Sequence, residues 1–270
     1  MCYFVHMGLV RRVCMWAMLA AVAALLLPPA GAAGAASRHE PMATTFGGTP
    51  SVGALFITGV FPLHICSASV VRSANHSVIV TAAHCIRSGT GEGYEFAPGF
   101  HDGKAPYGMW RVTAAYAAPG WIRHVNNRDD FAFLLVAPRR VDGKLRHVQD
   151  VTGGNALGHT PPPGTRVTVV GYPLGIGGSP RHCSVPTRRH GDFPAFSCDG
   201  FADGTSGGPW LAGSPGSRRV VGLIGGLHQG SCSSAISFSA PLGRAAHRAL
   251  HRAGHYRVAD HFPAPPGDGC

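Results

Sequence analysis

A chain of 270 residues, 45% of them hydrophobic and with a formal net charge of +10 at pH 7, is long enough for one β domain of two barrels or for two small domains. Its basic residues are scattered through loops and a C-terminal helical stretch, with no aromatic-interleaved stripe and no nucleic-acid-binding motif, so nucleic acid is excluded as an expected partner. No Cys-x-x-Cys spacing points to structural zinc, and neither metal nor organic cofactor is expected.

Residues 1–36 contain no Asp or Glu, carry Arg11 and Arg12, and run apolar from Val13 to Leu27 before Pro28 and a stretch of small residues. This reads as a secretory signal peptide, cut after Ala32, Ala35 or Ala36, because an apolar run of about 15 residues falls short of the ~20 that span a bilayer. No other run is long or apolar enough for a span, so a secreted, extracellular protein without a stable membrane anchor is expected. Removing the segment leaves 234 residues, a charge near +8, and six cysteines: Cys66, Cys85, Cys183, Cys198, Cys232 and Cys270. An even number in an exported chain points to disulfides.

Residues 37–50 are polar and aperiodic and read as a short propeptide or flexible N-terminus. Short β-rich runs then follow at 54–58, 68–71, 77–81, 109–115, 130–136, 166–171, 218–224 and 235–239, separated by turn residues, which indicates an all-β sandwich or barrel. The Gly- and Pro-rich stretch 151–165 is the expected linker between two halves. From Leu242 to Gly254, Ala245, Ala246, Ala249, Leu250 and Ala253 recur at helical spacing, predicting a C-terminal helix packed on the second half, with 251–270 as its end and a tail. His247, His251 and His255 align on one face of that helix beside Arg244, Arg248 and Arg252, a solvated basic face by preference over a metal site.

Three short words carry chemistry: Thr81-Ala82-Ala83-His84-Cys85, Asp130-Phe131-Ala132 and Gly204-Thr205-Ser206-Gly207-Gly208-Pro209. A serine hydroxyl is a poor nucleophile at neutral pH and needs an imidazole to take its proton and a carboxylate to hold that imidazole's tautomer. The words supply those groups in the order His, Asp, Ser. Asp130 opens the apolar run Phe131 to Leu135 and is the carboxylate best placed for burial, with Asp129 in reserve; His64 and His76 are the alternative imidazoles. The run Gly204 to Gly208 also fits the Gly-x-Ser-x-Gly elbow of lipases and esterases, but there the acid and histidine follow the serine, and after Ser206 the only Asp residues are Asp260 and Asp268.

In these words and their order the chain, from about Ser51 to Leu250, resembles the chymotrypsin/trypsin-like serine peptidases, closest to secreted bacterial members related to glutamyl endopeptidases through Val52-Gly53-Ala54-Leu55-Phe56 and Gly207-Gly208-Pro209-Trp210. The resemblance implies two antiparallel β-barrels over 51–250, the active site between them and a C-terminal α-helix. It implies a serine endopeptidase in which His84, Asp130 and Ser206 form the relay, the N–H groups of Gly204 and Ser206 hold the oxyanion, and Gly200, Gly225, Gly226 and Leu227 bound the substrate pocket. Where Glu-specific relatives carry a histidine this chain has Ile224, with His228 nearby. Thr205 stands where animal trypsins carry the Asp that pairs with the freed α-amino group, so that activation switch is not expected here.

Cys66 is expected to pair with Cys85, pinning the base-carrying loop, and Cys183 with Cys198 across the turn-rich Pro186 to Pro194; Cys198 with Cys232 is the competing pair. The partners are protein or peptide substrates, and a monomer is expected. A catalytically silent homologue that binds proteins or cell-surface polymers, and an esterase, are the alternatives.

Overall fold

The computed structural model describes residues 41–267 and 269–270, so the expected signal peptide lies outside the described residues. The strands in chain order are β1 (Thr44–Thr45), β2 (Val52–Ile57), β3 (Leu63–Val70), β4 (Val78–Thr81), β5 (Tyr94–Pro98), β6 (Trp110–Ala117), β7 (Ala132–Val136), β8 (Arg139–Val141), β9 (Lys144–Arg146), β10 (Ala156–Leu157), β11 (Arg166–Gly171), β12 (Gly175–Ile176), β13 (Arg181–Pro186), β14 (Arg188–His190), β15 (Phe193–Ser197), β16 (Pro209–Ala212), β17 (Arg219–Leu223) and β18 (Ile236–Phe238). Among the described residues three α-helices accompany the strands: α1 (Pro119–His124), α2 (Val148–Thr152) and α3 (Arg244–Gly254).

The first barrel is a ring of six antiparallel strands, β3-β2-β5-β6-β7-β4, closed by pairing of β4 back onto β3 at Ser69↔Val80 and Val70↔Ile79. Strand residues alternate between two faces, and β7 uses both. Its Ala132, Leu134 and Val136 fill the barrel interior with Leu55, Ile79, Phe96 and Trp110. Phe133 faces the layer outside the barrel, with Phe56, Val80 and Tyr116.

In the second half, β13 pairs with β11 and leads through Thr187 into β14, which pairs with β15. β15 pairs with β18, and the Gly225 N–H donates to Phe238 O, joining β18 to the end of β17. β17 pairs with β16 and β16 with β11, which returns the ladder to its start. Val167, Val169, Val185, Phe196 and Trp210 pack inside, and the Cys183–Cys198 disulfide ties β13 to the end of β15. Between the halves, α2 and β10 occupy the stretch expected as a linker, and β10 runs parallel to β17.

Two arrangements differ from the sequence reading. α3 packs on β4, β6 and β7 of the first barrel rather than on the second. Ala246, Ala249 and Ala253, small enough for close approach, join Val78, Tyr116 and Phe133, and the following chain is held to β6 by the Asp260 N–H to Ala115 O bond. Residues 41–50, read as part of a propeptide or flexible end, lie along the second half: β1 pairs with β13, and the Ala43 N–H donates to Asp199 O.

Candidate active site

β4 delivers His84. The strand ends at Thr81, and a single turn of 3-10 helix, Ala83–Cys85, points the imidazole into the space between the halves. The Cys66–Cys85 disulfide fixes that turn to β3. A 3-10 turn at Asn127–Asp129, started by the Asn126 side chain accepting from the Arg128 N–H, leads to Asp130 just before β7.

Asp130 is 1% exposed and accepts three N–H groups: His84 Nδ1 at 2.8 Å, the His84 backbone at 3.0 Å and the Gly226 backbone at 2.7 Å. A buried carboxylate held this way can only accept from Nδ1, so the proton of neutral His84 sits on Nδ1 and Nε2 presents its lone pair. The backbone donors stop the carboxylate from turning. Asp129 makes no such contact; burial raises its carboxyl, against the pull of Arg128 and Arg248. Gly225 fits beside Asp130 because a Cβ there would sit 3.0 Å from Oδ2.

The other candidate imidazoles are elsewhere. His64 is wholly buried among Phe56, Phe100 and Tyr172, with neither ring nitrogen hydrogen-bonded, and burial lowers its pKa to about 4. His76 is exposed and paired with Asp150 at 2.6 Å, a bond that lowers the Asp150 carboxyl.

Ser206 is half-buried on the loop between β15 and β16 and lines, with His84, a cavity of about 570 Å³. No hydrogen bond joins Ser206 Oγ to His84 among the described residues; such contacts are often loose before substrate binds. The loop is braced on every side. Ser67 of β3 donates its N–H to Ser206 O at 2.8 Å and its Oγ to Gly204 O at 3.1 Å, while that Oγ accepts from the Tyr172 N–H at 2.8 Å. Buried Thr205 donates Oγ1 to Ala202 O at 2.6 Å, and the Gly207 N–H donates to Ile224 O at 2.7 Å.

Gly207 has φ +77°, and a Cβ there would lie 2.1 Å from Thr81 Oγ1, so only glycine lets the serine turn sit against β3 and β4. The N–H groups of Gly204 and Ser206 have no acceptor among the described residues. Sequence reasoning missed Ser67 and the Gly226 N–H. A lone strand serine and a backbone donor carry no local signal.

Around Ser206 the cavity is walled by Phe201, Ala202, Ile224, His228 and Gln229. The four residues expected to bound the pocket sit behind or beside this lining. Gly200 precedes Phe201 and its carbonyl accepts from Arg181; Gly225 and Gly226 back the Asp130 carboxylate; Leu227 opens the turn that carries His228. Cys232 and Cys270, paired with each other, also line the cavity, which rules out the competing Cys198–Cys232 link.

Among the described residues one grouping, Cys66, His84 and Cys85, is compact enough to suggest a metal, but both sulfurs are committed to their disulfide. Of the C-terminal histidines, His247 stacks on His159 and His255 on His251. No helix among the described residues is long and apolar enough to cross a membrane.

A family model described as a trypsin-like peptidase domain matches residues 66–223, more than half of the chain. Among solved structures, the protease Anisep from Arthrobacter nicotinovorans superposes with a TM-score of 0.65 at 26% identity, covering 79% of this chain and 100% of its own. A thermostable serine protease, AL20, from an extremophilic microorganism gives 0.64 at 23% identity, covering 77% and 98%. A Glu endopeptidase gives 0.58 at 18%, covering 78% and 95%; these last two identities speak for the fold alone. Comparison with curated protein sequences gives no match. The chain belongs to the trypsin-like peptidase domain family, and it is a serine-type endopeptidase.

Proposed function

We propose that Ser206, His84 and Asp130 form the catalytic relay of an exported endopeptidase that cleaves peptide bonds through an acyl-enzyme. The observation that carries this reading is the set of three N–H donors on the buried Asp130, which fixes the His84 tautomer with Nε2 toward the cavity shared with Ser206. His84 Nε2 takes the Ser206 proton as Oγ attacks the scissile carbonyl. The imidazolium that forms is stabilised by Asp130 and then hands its proton to the leaving amine. Water repeats the sequence to release the acyl group.

The free N–H groups of Gly204 and Ser206 hold the oxyanion, each contributing a few kcal/mol in the transition state. Thr205 cannot pair with an inserted ammonium, and the loop is already held by its hydroxyl and by backbone bonds, so the site does not depend on a freed α-amino group. A peptidase unit over 51–250 with its linker near 151–165, a signal peptide at 1–36 and a monomeric secreted product complete the proposal. Three disulfides, a bond type of oxidising compartments, support export.

The test is incubation of the purified protein and its Ser206→Ala variant with an unbiased peptide library, followed by sequencing of the products. The account expects internal cleavage by the wild type alone. No cleavage would favour the silent binding homologue, and turnover of small acyl esters without peptides would favour the esterase.

A further inference from the structure

After α3 the chain does not trail away. It runs along the first barrel, with the Arg257 carbonyl accepting from Tyr116 Oη at 2.8 Å and Asp260 taking the Ala117 N–H at 2.9 Å while paired with Arg252. Phe262 then enters the first-barrel core, 3% exposed, and its N–H bonds to Gly89 O. Beyond it the chain leaves the barrel and crosses to the other half.

The Gly267 carbonyl accepts from Arg87 Nη2 at 3.4 Å and from Gln229 Nε2 at 3.2 Å. Arg87 follows the turn that carries His84, Gln229 belongs to the loop on the Ser206 side, and both line the catalytic cavity. Gly269 O is bound by His228 Nδ1 at 2.9 Å, and Cys270 is joined to Cys232. His228, which stands near the position where Glu-specific relatives carry a histidine, is thereby committed on Nδ1 to the tail. The loop it sits on has two consecutive residues, His228 and Gln229, at positive φ, a shape that the tail and disulfide help to hold.

Resting on the active-site reading above, we infer that the tail is a specificity-determining outer wall of the substrate cleft. Anchored by Phe262 on the His84 side and by Cys232–Cys270 on the Ser206 side, it narrows the mouth, so that an extended, flexible polypeptide segment enters and a folded protein surface does not.

The bond that closes this wall is also the accessible one: Cys232 and Cys270 are exposed, whereas the other four cysteines are buried. Mild dithiothreitol therefore reaches it first, the dithiol passing two electrons and two protons to the cystine and leaving as its cyclic disulfide. The experiment compares intact protein, protein so reduced and alkylated, and the Cys232→Ala/Cys270→Ala variant. Active sites are counted with a phosphonate that labels Ser206, and kcat/KM per site is measured on a short chromogenic peptide and on a folded protein substrate. The expected result is a rise of about tenfold in the folded-to-short ratio once the tail is untied, in both altered forms. An unchanged ratio overturns the wall while leaving the active-site reading standing. Failure of the phosphonate to label the intact protein overturns both.

Discussion

His64 makes stability depend on pH in a way that can be calculated. It lies wholly buried in β3 among aromatic rings, and neither ring nitrogen has a partner. Burial penalises the charged form, so its pKa falls from 6.5 to about 4. A histidine with a depressed folded pKa is protonated first in the unfolded chain. Its cost is therefore absent above about pH 6.5, grows as pH falls and levels off below about pH 4. The fall from 6.5 to about 4, at ~1.4 kcal/mol for each tenfold change in proton affinity, removes about 3 kcal/mol between those limits. The assay is urea unfolding at several pH values from 7 to 4, in a Ser206→Ala background to prevent self-digestion, with and without His64→Leu. Carboxylates titrate in both proteins, so the difference isolates His64. The substitution should leave stability at pH 7 equal or higher, because two unpaired buried nitrogens are gone, and should flatten the acid limb by about 3 kcal/mol. Equal acid slopes in the two proteins would refute the reasoning.

Four further outcomes follow from the nucleophile loop. Ser67→Ala removes the hydroxyl that ties Gly204 O to the Tyr172 N–H; kcat/KM per titrated site should fall roughly 10- to 100-fold, with about 1–2 kcal/mol lost in urea unfolding. Gly207→Ala forces a Cβ against Thr81 Oγ1 and Ser67 O at positive φ, and should abolish phosphonate labelling while circular dichroism keeps its β signature. Thr205→Val deletes the bond to Ala202 O and should cost about 1 kcal/mol of stability, whereas acetylating the mature N-terminus should leave activity within a factor of about two.

The parts of the molecule written in local pattern were legible in its sequence. The run Phe131 to Leu135 alternates between two faces because β7 has core on both sides, and Asp130, which opens that apolar run, is buried as its position there implies. Cys183 and Cys198 flank a turn and so point to each other, and they are joined. Cys232 and Cys270 stand 38 residues apart with a helix between them, and their pairing depends on the path of the tail, which no short window encodes. The side on which α3 packs is not legible either, since an alanine stripe fits either barrel; the tail that follows the helix bonds to Ala115 and Ala117 of the first. β3 starts at Leu63, five residues before the run read from the sequence, because His64, Cys66 and Ser67 break the apolar alternation while remaining buried. Each serves packing, cross-linking or the serine loop.

The relay itself is tested most directly by the rate at which a fluorophosphonate labels the wild type and the His84→Ala and Asp130→Asn variants, with the adduct located by peptide mass spectrometry. The account predicts a single adduct on the peptide containing Ser206 in the wild type, and labelling slower by about 10³-fold or more in each variant, since the serine then lacks either its base or the correct tautomer. An adduct on another serine, or a labelling rate indifferent to His84→Ala, would contradict it.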